Sequence, residues 1–160
     1  MKKSLVLLLL SSLVSGLYAR QPRTVVEPPF AFRNSGTLEI KRIELAPEST
    51  TVYIQAYFRP HNWIRISSET YIRAGAEGEK LTVRSADGMP LDTEFYMPET
   101  GRHDFSLSFP PVDPKTAKID LIESDCPDCF KIYDIDLTGK KAKPGRSALA
   151  KKYKKTAKIH

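Results

Sequence analysis

Three observations predict an all-β chain folded as an antiparallel, two-sheet, immunoglobulin-like sandwich. Between Thr37 and Leu137 the apolar residues recur in short runs with period two, the spacing of half-buried strands and not of helices. Proline, glycine, asparagine and aspartate separate those runs at short intervals, as they do in sandwiches and barrels. Once an N-terminal export segment is set aside, about 140 residues remain, the size of one domain with its own core.

Residues 1–19, MKKSLVLLLLSSLVSGLYA, read as a signal peptide. Lys2 and Lys3 form the charged start, Leu5 to Leu17 the apolar run, and Ser15, Gly16 and Ala19 the small residues a signal peptidase requires. Cleavage is expected after Ala19, with Gly16 the second choice because Leu17 is poor at the −3 position. The apolar run is too short for a membrane span, and no cysteine follows it to take a lipid. These features predict an extracytoplasmic protein, periplasmic or secreted, with no transmembrane segment after signal removal.

Residues 20–36, RQPRTVVEPPFAFRNSG, read as an extended linker, since Pro22, Pro28 and Pro29 oppose helix. The sandwich domain is expected over 37–137. TLEIKRIEL (37–45) alternates, but its apolar parity switches between Ile40 and Ile43, which predicts a bulge. TTVYIQAYF (50–58) alternates cleanly, with Val52, Ile54, Ala56 and Phe58 on one face and Tyr53 and Tyr57 on the other. Further strands are expected in WIRIS (63–67), TYIR (70–73), KLTVRS (80–85), TEFYM (93–97), DFSLSF (104–109), AKIDLIES (117–124) and FKIYDIDL (130–137).

The charge is divided. Arg20 to Leu137 carries 14 Lys/Arg against 19 Asp/Glu, a net of −5, whereas 138–160 carries nine Lys/Arg and no acid. That basic tail is expected to be disordered or marginally helical, and its functional reading is attachment to an anionic surface. Nucleic acid is not an expected partner for an exported chain.

Both cysteines lie in ESDCPDCFK, residues 123–131. A Cys-x-x-Cys pair serves as a redox centre, as half of a metal site or as a clamp. A reactive thiolate needs a helix N-terminus or nearby cations, yet a strand-like sequence follows Cys129, and Glu123, Asp125 and Asp128 are acidic. Zinc needs about four ligands, and His61, His103 and His160 show no matching spacing. Pro127 and Asp128 suit the centre of a tight turn, which places Cys126 opposite Cys129 at a hairpin tip. A structural Cys126–Cys129 disulfide is the expectation, with thiol–disulfide exchange as the alternative.

The stretches VVEPPFAFRNSGTLEIKRIEL, AYFRPHNWIRISSETYI, MPETG, FSLSFPP and DLIESDCPDCFKIYDIDL resemble an exported bacterial module. It is the β-sandwich found N-terminal to thioredoxin-like, disulfide-reductase-type domains in larger envelope proteins. The resemblance covers roughly Val25 to Leu137. It implies a non-catalytic accessory domain, because the catalytic residues of those proteins belong to the thioredoxin-like part.

FRPHNWIRISS holds the remaining candidate chemistry: Arg59, His61, Trp63 and Arg65. One reading is a loop in which Trp63 plugs the edge of the core. The other is a binding patch, which Tyr53 and Tyr57 could extend into a sugar-stacking platform. His103 and Asp104 adjoin, but neighbours on a strand face opposite ways, and no Gly-x-Ser-x-Gly, Gly-x-x-x-x-Gly-Lys or His-Glu-x-x-His motif occurs. No enzyme activity, cofactor or metal is therefore expected. The expected function is an exported binding or accessory module of the envelope, recognising a protein or envelope polymer. The alternatives are thiol exchange at Cys126/Cys129 or carbohydrate binding at Trp63.

Overall fold

A computed structural model of the chain describes residues 21–140. The signal peptide expected at 1–19 and the basic tail beyond Lys140 lie outside the described residues. Within them the chain is all-β and antiparallel.

One five-stranded sheet takes the order β1 (Arg23–Val26), β3 (Leu38–Leu45), β4 (Thr50–Tyr57), β10 (Arg102–Phe109), β8 (Ser85–Asp87). The second runs β2 (Phe32–Arg33), β12 (Lys131–Asp136), β11 (Lys118–Ile122), β6 (Tyr71–Arg73), β7 (Leu81–Thr82). Strands β5 (Trp63–Ile64) and β9 (Phe95–Tyr96) form a separate two-stranded ribbon. With β3, β4, β6, β8, β10, β11 and β12 taken as strands A to G, the sheets read A-B-E-D and G-F-C. That is the immunoglobulin arrangement, with β7 added beside C.

Alternation explains how the sheets meet. Val52, Ile54 and Ala56 of β4 are buried, and Phe105 and Leu107 of β10 pair with Ile54 and Val52 in the register. Ile119, Leu121, Ile132 and Ile135 close the core from the other sheet. Burying each such side chain contributes about 1.5–3 kcal/mol relative to exposure. The expected bulge in β3 is present, because the register shifts between Ile40 and Arg42, and it lets Leu38, Ile40 and Ile43 all face inward.

The segment read as a linker is a correction. It is extended, but β1 pairs with β3, β2 pairs with β12, and Val25 is buried. Pro22, Pro28 and Pro29 stand outside the two short strands, so nothing removes their ladder donors. The sandwich therefore begins before Thr37. KLTVRS is also not one strand. Val83 N–H bonds Thr70 O at 2.7 Å in one sheet, and Arg84 N–H bonds Ser108 O at 2.7 Å in the other, so the chain changes sheets between them.

Strand direction defines two poles. The β4–β6 connection (58–70), the β8–β10 connection (88–101) and the β11–β12 connection (123–130) gather at one pole. The β3–β4 turn and the β10–β11 connection lie at the other. Both described ends of the chain leave from that second pole: Arg23 pairs with Leu45, and Leu137 N–H bonds Ala117 O at 2.8 Å.

Candidate functional site

The loop pole is built from a turn upward. Arg59–Pro60–His61–Asn62 closes with Asn62 N–H bonded to Arg59 O at 3.2 Å, with Pro60 first and His61 second at the centre. His61 has φ 63°, as the second central residue of a type II turn requires, although glycine usually occupies it. His61 N–H bonds Met97 O at 3.0 Å and Met97 N–H bonds Asn62 O at 2.9 Å, which sets Trp63 opposite Tyr96 and Ile64 opposite Phe95. Gly101 seals the base. It has φ 63°, its carbonyl accepts Phe58 N–H at 3.0 Å, and a Cβ there would lie 2.7 Å from Phe58 O.

Opposed residues of an antiparallel pair point to the same side. Ile64 faces the core and Phe95 lies against His103, the rings tilted with centroids 4.1 Å apart. Trp63 and Tyr96 therefore point outward together, 49% and 61% exposed. Trp63 does not plug the core edge; its neighbour Ile64 takes the buried position. Arg59, His61 and Arg65 are exposed as well, and His61 Nε2 sits 2.7 Å from Glu99 Oε2. Tyr96 donates to Glu94 Oε2 at 3.0 Å, and that carboxylate raises the phenol's pKa.

Tyr53 and Tyr57 do share the outer face of β4, where they join a polar network on the sheet. Arg42 lies 3.5 Å over the Tyr53 ring, whose hydroxyl donates to Glu44 at 3.0 Å. Tyr57 donates to Gln55, which in turn donates to Asp104 at 2.7 Å. Desolvation raises the Tyr57 pKa, with Glu39 adding to it. The partner that the structure gives Trp63 is Tyr96. Sequence reasoning placed Tyr96 in a strand but did not single it out, since only the pairing of two distant loops reveals it.

The cysteines form the expected disulfide, Cα–Cα 5.3 Å apart, at the tip of the β11–β12 hairpin. No helix occurs among the described residues, so no helix terminus sits at either sulfur. The tip is held from three sides. Asn34 donates to Cys129 O at 2.8 Å and accepts Lys131 N–H at 2.7 Å. Lys131 Nζ donates to Cys126 O at 2.9 Å. Asp125 accepts from Lys80 at 2.8 Å and from Tyr71 at 3.0 Å, and these bonds, that from Lys80 foremost, hold its pKa below the usual value. Ser124 Oγ lies 3.1 Å from Cys129 Sγ.

A groove of about 200 Å³ joins the two stretches that the sequence singled out. Phe58, Ile64, Arg65 and Ile66 line one side, with Glu123 and Phe130 of the disulfide hairpin on the other. Burial raises the Glu123 pKa, against the opposing pull of the Phe130 and Ser67 backbone amides and of Arg65. A larger concavity, about 390 Å³, lies at the opposite pole between Arg23, Pro47 and Pro111 to Pro114. It gathers no set of catalytic groups. His103 is engaged with Gly88 O at 2.7 Å and with Phe95, and Asp104 with Gln55. Among the described residues no group of three His, Cys, Asp or Glu is placed to hold a metal.

No family model matches this chain, and neither the curated proteins nor the solved structures yield a match.

Proposed function

We propose that this chain is a non-catalytic, exported binding module of the cell envelope whose recognition surface is the loop pole. One observation carries the reading: Trp63 and Tyr96 stand exposed side by side on a ribbon made from two loops. An aromatic side chain has about 150–250 Å² to bury, so folding alone favours hiding these rings. Presenting both outward, where the described chain leaves them about half exposed or more, suits an intermolecular contact. The resemblance to an accessory sandwich of envelope proteins supports the same conclusion. The disulfide serves as a clamp on the hairpin that walls the groove.

Residues 138–160, with nine Lys/Arg and no acid, are the part proposed to attach the chain to an anionic surface. Each lysine near an anionic bilayer contributes about 1 kcal/mol, a contribution that salt screens.

The test is a crosslinking pull-down from envelope extracts with the parent chain, with Trp63→Ala/Tyr96→Ala and with Cys126→Ser/Cys129→Ser. The aromatic variant should lose capture while keeping its melting temperature, and the cysteine variant should retain it. Capture that survives loss of both rings sinks the proposal. Adducts released by reductant and absent from the cysteine variant would replace it with thiol exchange.

A further inference from the structure

We infer that the ligand of the Trp63–Tyr96 ribbon is a neutral glycan, an inference that rests on the binding-module reading and gives it a chemical class. A sugar ring has a face of C–H bonds and an edge of hydroxyls, so it needs a flat apolar surface bordered by hydrogen-bonding groups. The ribbon supplies both. Trp63 and Tyr96 are opposed in the register, so both side chains leave the same side of the ribbon from Cβ atoms about 5 Å apart. Around them are Arg59, His61, Asn62, Glu94 and Glu99, all exposed.

A protein partner fits this surface less well. A stable protein interface covers about 800 Å² on each side and excludes charge from its centre. Here charged groups stand close by: Glu94 accepts from the Tyr96 hydroxyl at 3.0 Å, and His61, in the turn that opens the ribbon, lies 2.7 Å from Glu99. Covering them with protein would strip their water, which is costly unless each is paired again. Hydroxyls replace that water group by group. The signs near the rings are also mixed, Arg59 and Arg65 against Glu94 and Glu99, so the surface selects neither a polyanion nor a polycation.

Trp63 is the sole tryptophan, so its emission reports on the ribbon directly. The experiment is native affinity electrophoresis of the full chain through gels containing soluble β-glucan, galactomannan or arabinoxylan, with dextran sulfate as the polyanion control. Trp63 fluorescence titration follows for any polymer that retards it. At least one neutral polysaccharide should retard the chain and change its emission saturably. Trp63→Ala and Tyr96→Ala, read by retardation, should each weaken binding tenfold or more without lowering the melting temperature, and Tyr53→Phe should leave it unchanged. Retardation by none of the neutral polymers, by dextran sulfate alone, or equally in the ring variants overturns the inference. If the pull-down still captures a protein through the two rings, the glycan class falls while the binding-module reading stands. If neither experiment depends on the rings, both fall.

Discussion

Asp120 provides the sharpest test of how the disulfide hairpin is carried. It is only 5% exposed, in the middle of β11, where the β12 register shifts between Ile119 and Leu121. The shift leaves Asp134 as the extra residue, with φ 54°, and its N–H without a ladder partner. Asp120 Oδ1 accepts that N–H at 3.0 Å, while Oδ2 accepts Arg73 Nε at 3.2 Å from the neighbouring β6. One carboxylate thus completes the bulge and ties three strands together. Asp120→Asn keeps an oxygen for Asp134 but turns an amide donor toward the guanidinium. Removing one partner of a buried pair costs about 3–5 kcal/mol. Arg73 remains partly exposed and still donates to Ala76 O at 3.0 Å, which places the cost at the low end. A loss of about 3 kcal/mol corresponds to about 12 °C in melting temperature, at about 4 °C per kcal/mol for a domain of this size. Asp120→Ala, which also orphans the bulge N–H, should lose about 1–3 kcal/mol more. The assay is thermal and urea unfolding of the parent, both Asp120 variants, Arg73→Met and the double variant. If Asp120→Asn melts with the parent, or costs as much in the Arg73→Met background, the ion pair does not hold these strands and the reasoning fails.

Other consequences are equally direct. Cys126→Ser/Cys129→Ser should cost no more than about 2 kcal/mol, the chain-entropy value for so short a loop, and urea unfolding should stay cooperative; a collapse of the whole domain would show that the clamp does more than fix the tip. Glu123 has a folded pKa above its ordinary 4.5, so its protonated form is favoured in the fold and stability falls as pH rises through that pKa; Glu123→Gln should remove this fall. Asp125 has a folded pKa below 3.8, so its contribution is present above that value and lost as pH falls through the folded pKa; Asp125→Asn should flatten the acid limb. Denaturation midpoints measured across the acid range separate the two opposite slopes, and a common slope would refute the assignment. Gly101→Ala should destabilise the chain by about 1–2 kcal/mol through its left-handed backbone, and by more if Phe58 O cannot move; a neutral effect on the melting temperature would show that the ribbon base is pliable.

The relation of sequence to structure differs from element to element. The alternation of Val52, Ile54 and Ala56 announced β4, and the parity switch between Ile40 and Ile43 announced the β3 bulge, because both are local properties of a pleated backbone. The Cys126–Cys129 disulfide was legible because only two residues separate the cysteines, which stand 5.3 Å apart at Cα. Strands β1 and β2 were not legible. Their bonds are to the backbone of distant strands, which leaves no side-chain signature, and the three nearby prolines read as a linker. The change of sheet between Val83 and Arg84 was hidden inside a run with unbroken β character.

By itself, then, the sequence determined the all-β class, the strand rhythm and the disulfide clamp, all of which follow from interactions among near neighbours. Only the tertiary structure decided that Trp63 faces outward, that Tyr96 and not Tyr53 or Tyr57 stands beside it, and that the disulfide hairpin and Ile64 to Ile66 wall one groove. Those outcomes depend on which loops meet at one pole. That is set by the order of strands in two sheets, and no single segment encodes it.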